Sequence, residues 1–350
     1  MLLDSLLKKR ALIVALATQF GALSNAVGAS CTTQSQMTQL QRDSLANQSR
    51  AMLVQVQNGD VQGLRANTVP AVAADFSGIM DSTLQLRPLL QRATITVDAL
   101  YILDAAADPA GAARTDFFCG SPVVVMNFTD LPPATYALAI LHATGVRQPQ
   151  QISLILSRTS GDRWMLAGFF DKPMTEAGHD GLWYWTAARK FAQTKANWDA
   201  WFYYRQAAFL LDPADFLSSP HLENLRHESE AVHPNGLPTE NPITLSTSGS
   251  AFTVTTIDAT TAFGVLDLEV HYKPDPIQLA QLHNPLAARK QVTDIMLALL
   301  EQHPELRNAF HGIWVRADQG SLSLFALELP MTGIIPDQPS SNTRPTLSPR

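Results

Sequence analysis

Three groups of side chains in this sequence have donor types and spacings that could do chemistry. Asp267, Glu269 and His271 alternate with Leu266, Leu268, Val270 and Tyr272. Successive strand residues point to opposite faces, so the two carboxylates and the imidazole share one face. Such a set could ligate a divalent metal or work as acid and base; the plainer reading is the solvated face of a half-buried strand. The second group is His221, His227 and His233 with Glu223, Glu228 and Glu230. Helical ligands stack at i,i+4, which these six-residue intervals do not provide, so the group reads as a polar helix end leading into a linker. The third is Tyr136 and His142, on one strand face with Leu138 and Ile140, while Tyr101 looks inward from a strand of its own. A histidine among aliphatic residues reads first as a satisfied core residue, and otherwise as a polar group orienting a ligand in an apolar pocket.

The well-marked chemistries are missing. The sequence holds no G-x-S-x-G elbow, no G-x-x-x-x-G-K-[ST], no G-x-G-x-x-G and no H-E-x-x-H. That argues against the best-signposted hydrolases, nucleotide binders and zinc proteases, leaves an enzyme with an unmarked site open, and implies no cofactor. The chain of 350 residues has net charge −6, 46% hydrophobic residues and 16% charged ones. At roughly 100–200 residues per domain it is long enough for two or three packed cores. An acidic chain without a Lys/Arg cluster has no phosphate footprint, so nucleic acid is not an expected partner.

Residues 1–29 read as a secretory signal. Lys8, Lys9 and Arg10 precede an apolar stretch from Ala11 to Leu23, and Val27-Gly28-Ala29 is a small-residue cleavage site. The stretch is too short to span a bilayer core of about 30 Å, so the expected location after cleavage near Ala29 is extracytoplasmic, periplasmic or secreted. The two cysteines, Cys31 and Cys119, then suggest one disulfide. A lipid anchor on Cys31 competes with that reading, although the lipobox leucine is replaced by Gly28.

These groups need elements to position them. Apolar residues from Gln34 to Asn58 recur near helical spacing, and Asp60 could cap a second short helix. From Thr94 to Asp104 the chain alternates, placing Ile95, Val97, Ala99, Tyr101 and Leu103 on one face. Strands are expected at 122–128, 135–144, 151–158 and 163–170. Helices followed by a meander of strands make an α+β unit.

Gln57-Asn58-Gly59-Asp60-Val61-Gln62-Gly63-Leu64 is similar to the "x-x-G-D-x-x-x-L" helix junction of the NTF2-like (SnoaL-like) superfamily. The run Ser160-Gly161-Asp162-Arg163-Trp164-Met165-Leu166-Ala167-Gly168-Phe169-Phe170 resembles its closing "D-G-x-W-x-I-x-x-F" strand. The resemblance, over residues 37–172, implies a curved sheet wrapped around helices with an apolar mouth. Tyr101, Tyr136 and His142 would be its ligand-orienting groups. The superfamily includes enzymes, binding modules and dimerisation units, so it implies no single function.

Residues 182–211 lack Gly and Pro and carry ten of the 27 aromatic residues. The rings occupy nearly every helical angle, which fits burial on several sides, as in a helix pair wedged between two domains. Trp185, Ala208 and Pro213 make this segment, 182–213, similar to a single tetratricopeptide repeat, with Ala188-Arg189 where that motif has Leu-Gly. After a linker at 234–242, strands are expected at 251–257 and 265–272, a helix at 285–302, and strands at 310–317 and 322–329. The proline-bearing residues 333–350 read as a disordered tail.

The expected fold class is therefore α+β. An NTF2-like unit (34–172) precedes an aromatic helical connector (182–230) and a small ββαββ domain (243–331). The expected function is a non-catalytic binding or assembly module of the cell envelope or extracellular space, with an unidentified protein or small-molecule partner. The alternatives are an enzyme of isomerase, dehydratase or hydrolase type using the NTF2-like cavity, and metal binding at Asp267, Glu269 and His271.

Overall fold

The computed structural model describes residues 29–159, 163–238, 241–247 and 249–335. The expected signal segment before Ala29, residues 160–162 and residues 336–350 of the expected tail lie outside the described residues; the start of that tail is ordered instead, since Ile334 is buried and its carbonyl accepts from Arg307 at 3.0 Å.

The N-terminal unit begins with strand β1 (Ser30–Thr33) and helices α1 (Gln39–Asn58), α2 (Val61–Ala66), α3 (Pro70–Ala74) and α4 (Ser77–Leu90). Helix α1 starts later than its apolar pattern suggests, because Thr38 and Gln41 form a reciprocal capping box. It ends at Gly59, whose φ of 70° closes the last turn, and Asp60 then accepts the Gly63 N–H at 2.9 Å to open α2. The Asn-Gly-Asp run thus stops one helix and starts the next.

Strands β2 (Thr94–Asp104), β3 (Arg114–Cys119), β4 (Val124–Thr129), β5 (Thr135–Thr144), β6 (Gln150–Arg158) and β7 (Trp164–Pro173) follow. Five strands form an antiparallel sheet in the order β1-β2-β5-β6-β7. One face, with Leu100, Leu141, Leu154 and Leu166, packs on Leu45, Met52, Leu53, Val56 and Leu86 of the helices. The opposite face carries Ala99, Tyr101, Leu103, Tyr136, Leu138 and Ile140 and packs on the β3–β4 hairpin and later segments.

The apolar residues of β2 do not share the single face expected of them. The pairing of β2 with β5 is irregular between Val97 and Ala99, and the extra residue, Asp98, shifts the side-chain phase by one. Ile95 and Val97 therefore face the helices, while Ala99, Tyr101 and Leu103 face the other way.

Cys31 and Cys119 are joined in a disulfide with Cα atoms 5.2 Å apart, tying β1 to β3 across 88 residues. The lipid-anchor reading of Cys31 falls with this bond, because its one sulfur is already used. Among the described residues no helix is long and apolar enough to cross a membrane.

The connector starts with the two-residue strands β8 (Thr175–Glu176) and β9 (His179–Asp180). Helices α5 (Gly181–Gln193) and α6 (Asn197–Leu211), strand β10 (Leu217–Ser218) and helix α7 (Pro220–Glu230) complete it. Strand β10 adds to β4 and β3 as a second small sheet, so the connector is woven into the N-terminal unit. On its other side Phe202 and Tyr203 meet Phe310 edge-on, and the Tyr203 hydroxyl donates to the Ala309 carbonyl at 2.6 Å. The buried aromatic residues of the connector share one cluster with the C-terminal unit, while Trp183 and Phe209 stay exposed.

The C-terminal unit has strands β11 (Ile243–Ser246), β12 (Ala251–Thr260) and β13 (Asp267–Lys273), then helices α8 (Pro276–Gln281), α9 (Pro285–Gln302) and α10 (Leu306–Ala309). Strands β14 (Gly312–Gln319) and β15 (Leu322–Pro330) end it. The sheet runs β11-β12-β13-β14-β15, with β13 and β14 parallel and the rest antiparallel. The unit therefore has one more strand, β11, than the expected ββαββ. Its inner face shares one core with α9 and the connector, where each fully buried side chain such as Phe252 contributes about 1.5–3 kcal/mol.

Candidate functional site

The bulge in β2 does more than shift a face. It leaves Asp98 unpaired in the ladder, where it lines the same concave surface as Tyr101. Two concave regions meet there. One, of about 740 Å³, runs from Thr33 and Ser35 past Asp98 and Tyr101 to Gly120 and Val124. The other, of about 440 Å³, shares Asp98, Ala99, Tyr101 and Val124 and continues between Ile140, Trp185, Leu217 and Leu222. Together they form a groove whose first part is polar, with Thr33, Ser35, Arg42 and Ser121, and whose second part, between the sheet and the connector, has mainly apolar walls, as in small-molecule sites.

Other polar groups lie near Asp98. His142 Nδ1 lies 3.9 Å from Asp98 Oδ1, too far for a hydrogen bond. His142 Nε2 is 3.3 Å from Gln151 Oε1. In the tautomer that donates Nε2–H to this amide oxygen, Nδ1 is the acceptor toward Asp98. Two acceptors separated in this way suit a bridging donor. Tyr101 adds a hydroxyl without a hydrogen-bond partner among the described residues, held above the usual phenol range by burial and then by Asp98. His221 and Ser219 line the far end.

The remaining sequence candidate in this unit does not join them. Tyr136 is buried and donates its hydroxyl to the Pro132 carbonyl at 2.8 Å. Asp98 is the residue that sequence reading missed. Its signal was present: from Ala99 to Leu103 every residue is apolar, so alternation could no longer define a face, and a polar residue before such a run marks a phase change.

The wall of the groove is set by Glu228, a residue assigned above to a polar helix end. Its carboxylate accepts from Trp185 Nε1 at 2.8 Å, from Arg189 Nε and Nη2 at 2.7 and 2.6 Å, from the Tyr204 hydroxyl at 3.2 Å and from Asn224 at 2.7 Å. The Arg189 guanidinium also lies over the Trp185 ring, 4.6 Å from its centroid. These donors, the Arg189 pair first, hold the Glu228 carboxyl down at about 2 against burial. Burial and Glu228 in turn push the Tyr204 hydroxyl up to about 12. The network locks α5, α6 and α7 together and orients the indole that lines the groove.

On the C-terminal sheet, Asp267, Glu269 and His271 do lie on the outward face, but each turns to a different partner. Asp267 meets His311 Nδ1 at 3.1 Å, Glu269 accepts from Arg316, and His271 Nδ1 meets Asp318 at 2.5 Å. Glu269 and His271 remain 3.7 Å apart, yet both are engaged by neighbours on β14. The expected trio is thus split by cross-strand pairing, which a single strand's alternation cannot reveal.

No protein-family model matches this chain, and no curated protein or solved structure matches it.

Proposed function

We propose that this chain is an exported, non-catalytic binding module that holds a small amphipathic molecule in the groove beside Asp98, with a cationic or hydroxyl-bearing end at Asp98 and His142 and an apolar body against Ile140, Leu217 and Leu222. One observation carries the reading: two concave regions meet at Asp98 and Tyr101, which offer a carboxylate and a free hydroxyl, with His142 Nδ1 3.9 Å from that carboxylate. Binding is favoured over turnover because the Asp98 side chain is 55% exposed, a setting in which water competes for any developing charge. The disulfide and the signal-like N-terminus support export to an oxidising compartment. The NTF2-like and tetratricopeptide-like assignments belong to this proposal. Their support is the sequence motifs, together with helices on one face of an antiparallel sheet and a helical hairpin at 181–211.

The test is fluorescence titration with dansylcadaverine, an aromatic probe bearing a primary ammonium. The neutral N-acetyl analogue serves as its control. A charge-assisted contact contributes about 1.5–3 kcal/mol, so Asp98→Asn should weaken the charged probe roughly tenfold or more and leave the neutral one nearly unchanged. Equal affinity of parent and variant for the charged probe would overturn the proposal.

A further inference from the structure

The geometry points to a divalent-metal site formed by Asp267, His311 and Glu328 on the outward face of the C-terminal sheet. Only Asp267 is shared with the trio expected from sequence. Each of the three residues offers one ligand atom, and these atoms lie within 4.8 Å of one another. Tetrahedral bonds of about 2.0–2.2 Å to a small divalent ion put ligand atoms roughly 3.3–3.6 Å apart, so an inward closure of up to about 1.5 Å, within the reach of side-chain rotation, completes the set.

The backbone holds the three residues in place. Asp267 begins β13, His311 immediately precedes β14, and Glu328 lies near the end of β15. The His311 N–H donates to the Leu266 carbonyl at 2.8 Å, and the His311 carbonyl accepts from the Met331 N–H at 2.8 Å. His311 is therefore tied to both strands that carry the carboxylates. Glycine at 312 leaves room for one of them: a Cβ there would come within 2.6 Å of Glu328 Oε1.

Charge supplies the second argument. The Asp267 side chain is 3% exposed, and His311 is its one side-chain partner among the described residues. Glu328 Oε1 is buried without a hydrogen-bond partner. Two carboxylates brought this close in a partly buried place repel unless a proton or cation lies between them. Nearby on the same face, Glu269 has Arg316 and Asp318 has His271. Asp267 and Glu328 have no Lys or Arg partner among the described residues.

One imidazole and two carboxylates suit a first-row divalent ion such as Zn²⁺, Mn²⁺ or Fe²⁺, with three protein ligands and open positions for water or substrate. His311 also lines a cavity of about 230 Å³ with His179, Trp183, Tyr184 and Tyr203, and the His179 and Trp183 rings stack there at 3.5 Å. This places an aromatic chamber beside the proposed ion.

The test uses the full chain, tag-free and chelator-treated. Calorimetric titration with Zn²⁺ should give one site per chain, and Co²⁺ should produce a visible absorption band. His311→Gln and Glu328→Gln should each weaken Zn²⁺ binding by about tenfold or more. His303→Gln should leave it unchanged, because His303 lies outside the group. His311 is 52% exposed, so its substitution removes a ligand without opening the core, and circular dichroism confirms the fold of each variant. The proposal is overturned if the folded parent binds no Zn²⁺, if both ligand variants bind like the parent, or if His303→Gln abolishes binding.

Discussion

Replacing Glu228 with glutamine tests whether the polar network behind the groove holds the connector together. The substitution keeps the size of the side chain but removes its charge and turns an NH₂ group toward donors from Trp185, Arg189, Tyr204 and Asn224. The carboxyl falls from its ordinary 4.5 to about 2 in the folded chain. At 1.36 kcal/mol per unit this would correspond to about 3 kcal/mol for a fully shielded group. The side chain is 23% exposed, and solvent screening lowers the expectation to about 2 kcal/mol. A folded value below the unfolded one contributes stability that is complete above about pH 4.5 and is lost as the pH falls toward 2. Urea unfolding of parent and Glu228→Gln should therefore differ by about 2 kcal/mol at pH 7, and the gap should close on acidification through that window. Equal stability at pH 7, or a gap that persists unchanged to pH 2, would refute the reasoning.

Three further outcomes follow from named contacts. Asp199 is 1% exposed, Oδ1 lacks a partner, and burial followed by Glu305 pushes its carboxyl up to about 7. The unfolded chain ionises first, so stability should fall as pH rises from about 4 to 7; Asp199→Asn should flatten that slope in urea melts and gain about 2–4 kcal/mol at pH 8. Joint replacement of Cys31 and Cys119 by serine opens a link across 88 residues and should cost about 4–5 kcal/mol, read from the urea midpoint, with an unmoved midpoint contradicting the loop-entropy account. Gly181→Ala would put a Cβ 2.5 Å from Leu211 Cγ, an overpacking expected to cost about 1–3 kcal/mol, and a melt indistinguishable from the parent would show that α6 yields freely.

What the sequence made legible divides along a physical line. Local signals were readable: Gly59 and Asp60 marked a helix junction, Asp212-Pro213 ended α6, and alternation located β5 and β6. Helix α4 was not anticipated, because Gly78 and Pro88 near its ends mask a pattern that tertiary packing on α1 completes. The faces of β2 were misread because a single extra residue, Asp98, reverses them. Site residues suffered more than elements. His142 and Tyr101 were picked out by type, whereas Asp98, marked only by the apolar run after it, was not, because the bulge that places it beside them arises from pairing with β5. Glu228 looked solvated by its spacing, and its donors come from helices up to 43 residues away. Asp267 found His311 rather than Glu269 because pairing between strands, not alternation within one, decides which side chains meet.

The most direct measurement of the central claim is an NMR titration of isotopically labelled chain with dansylcadaverine, followed through amide and methyl shifts. Binding in the groove gives a contiguous set of perturbations at Asp98, Ala99, Tyr101, Val124, Leu217 and Leu222, which line it. The Asp98→Asn chain should show the same residues shifting only at roughly tenfold higher probe concentration. Perturbations confined to the C-terminal sheet, or scattered over exposed side chains such as Leu40 and Phe263, would contradict it.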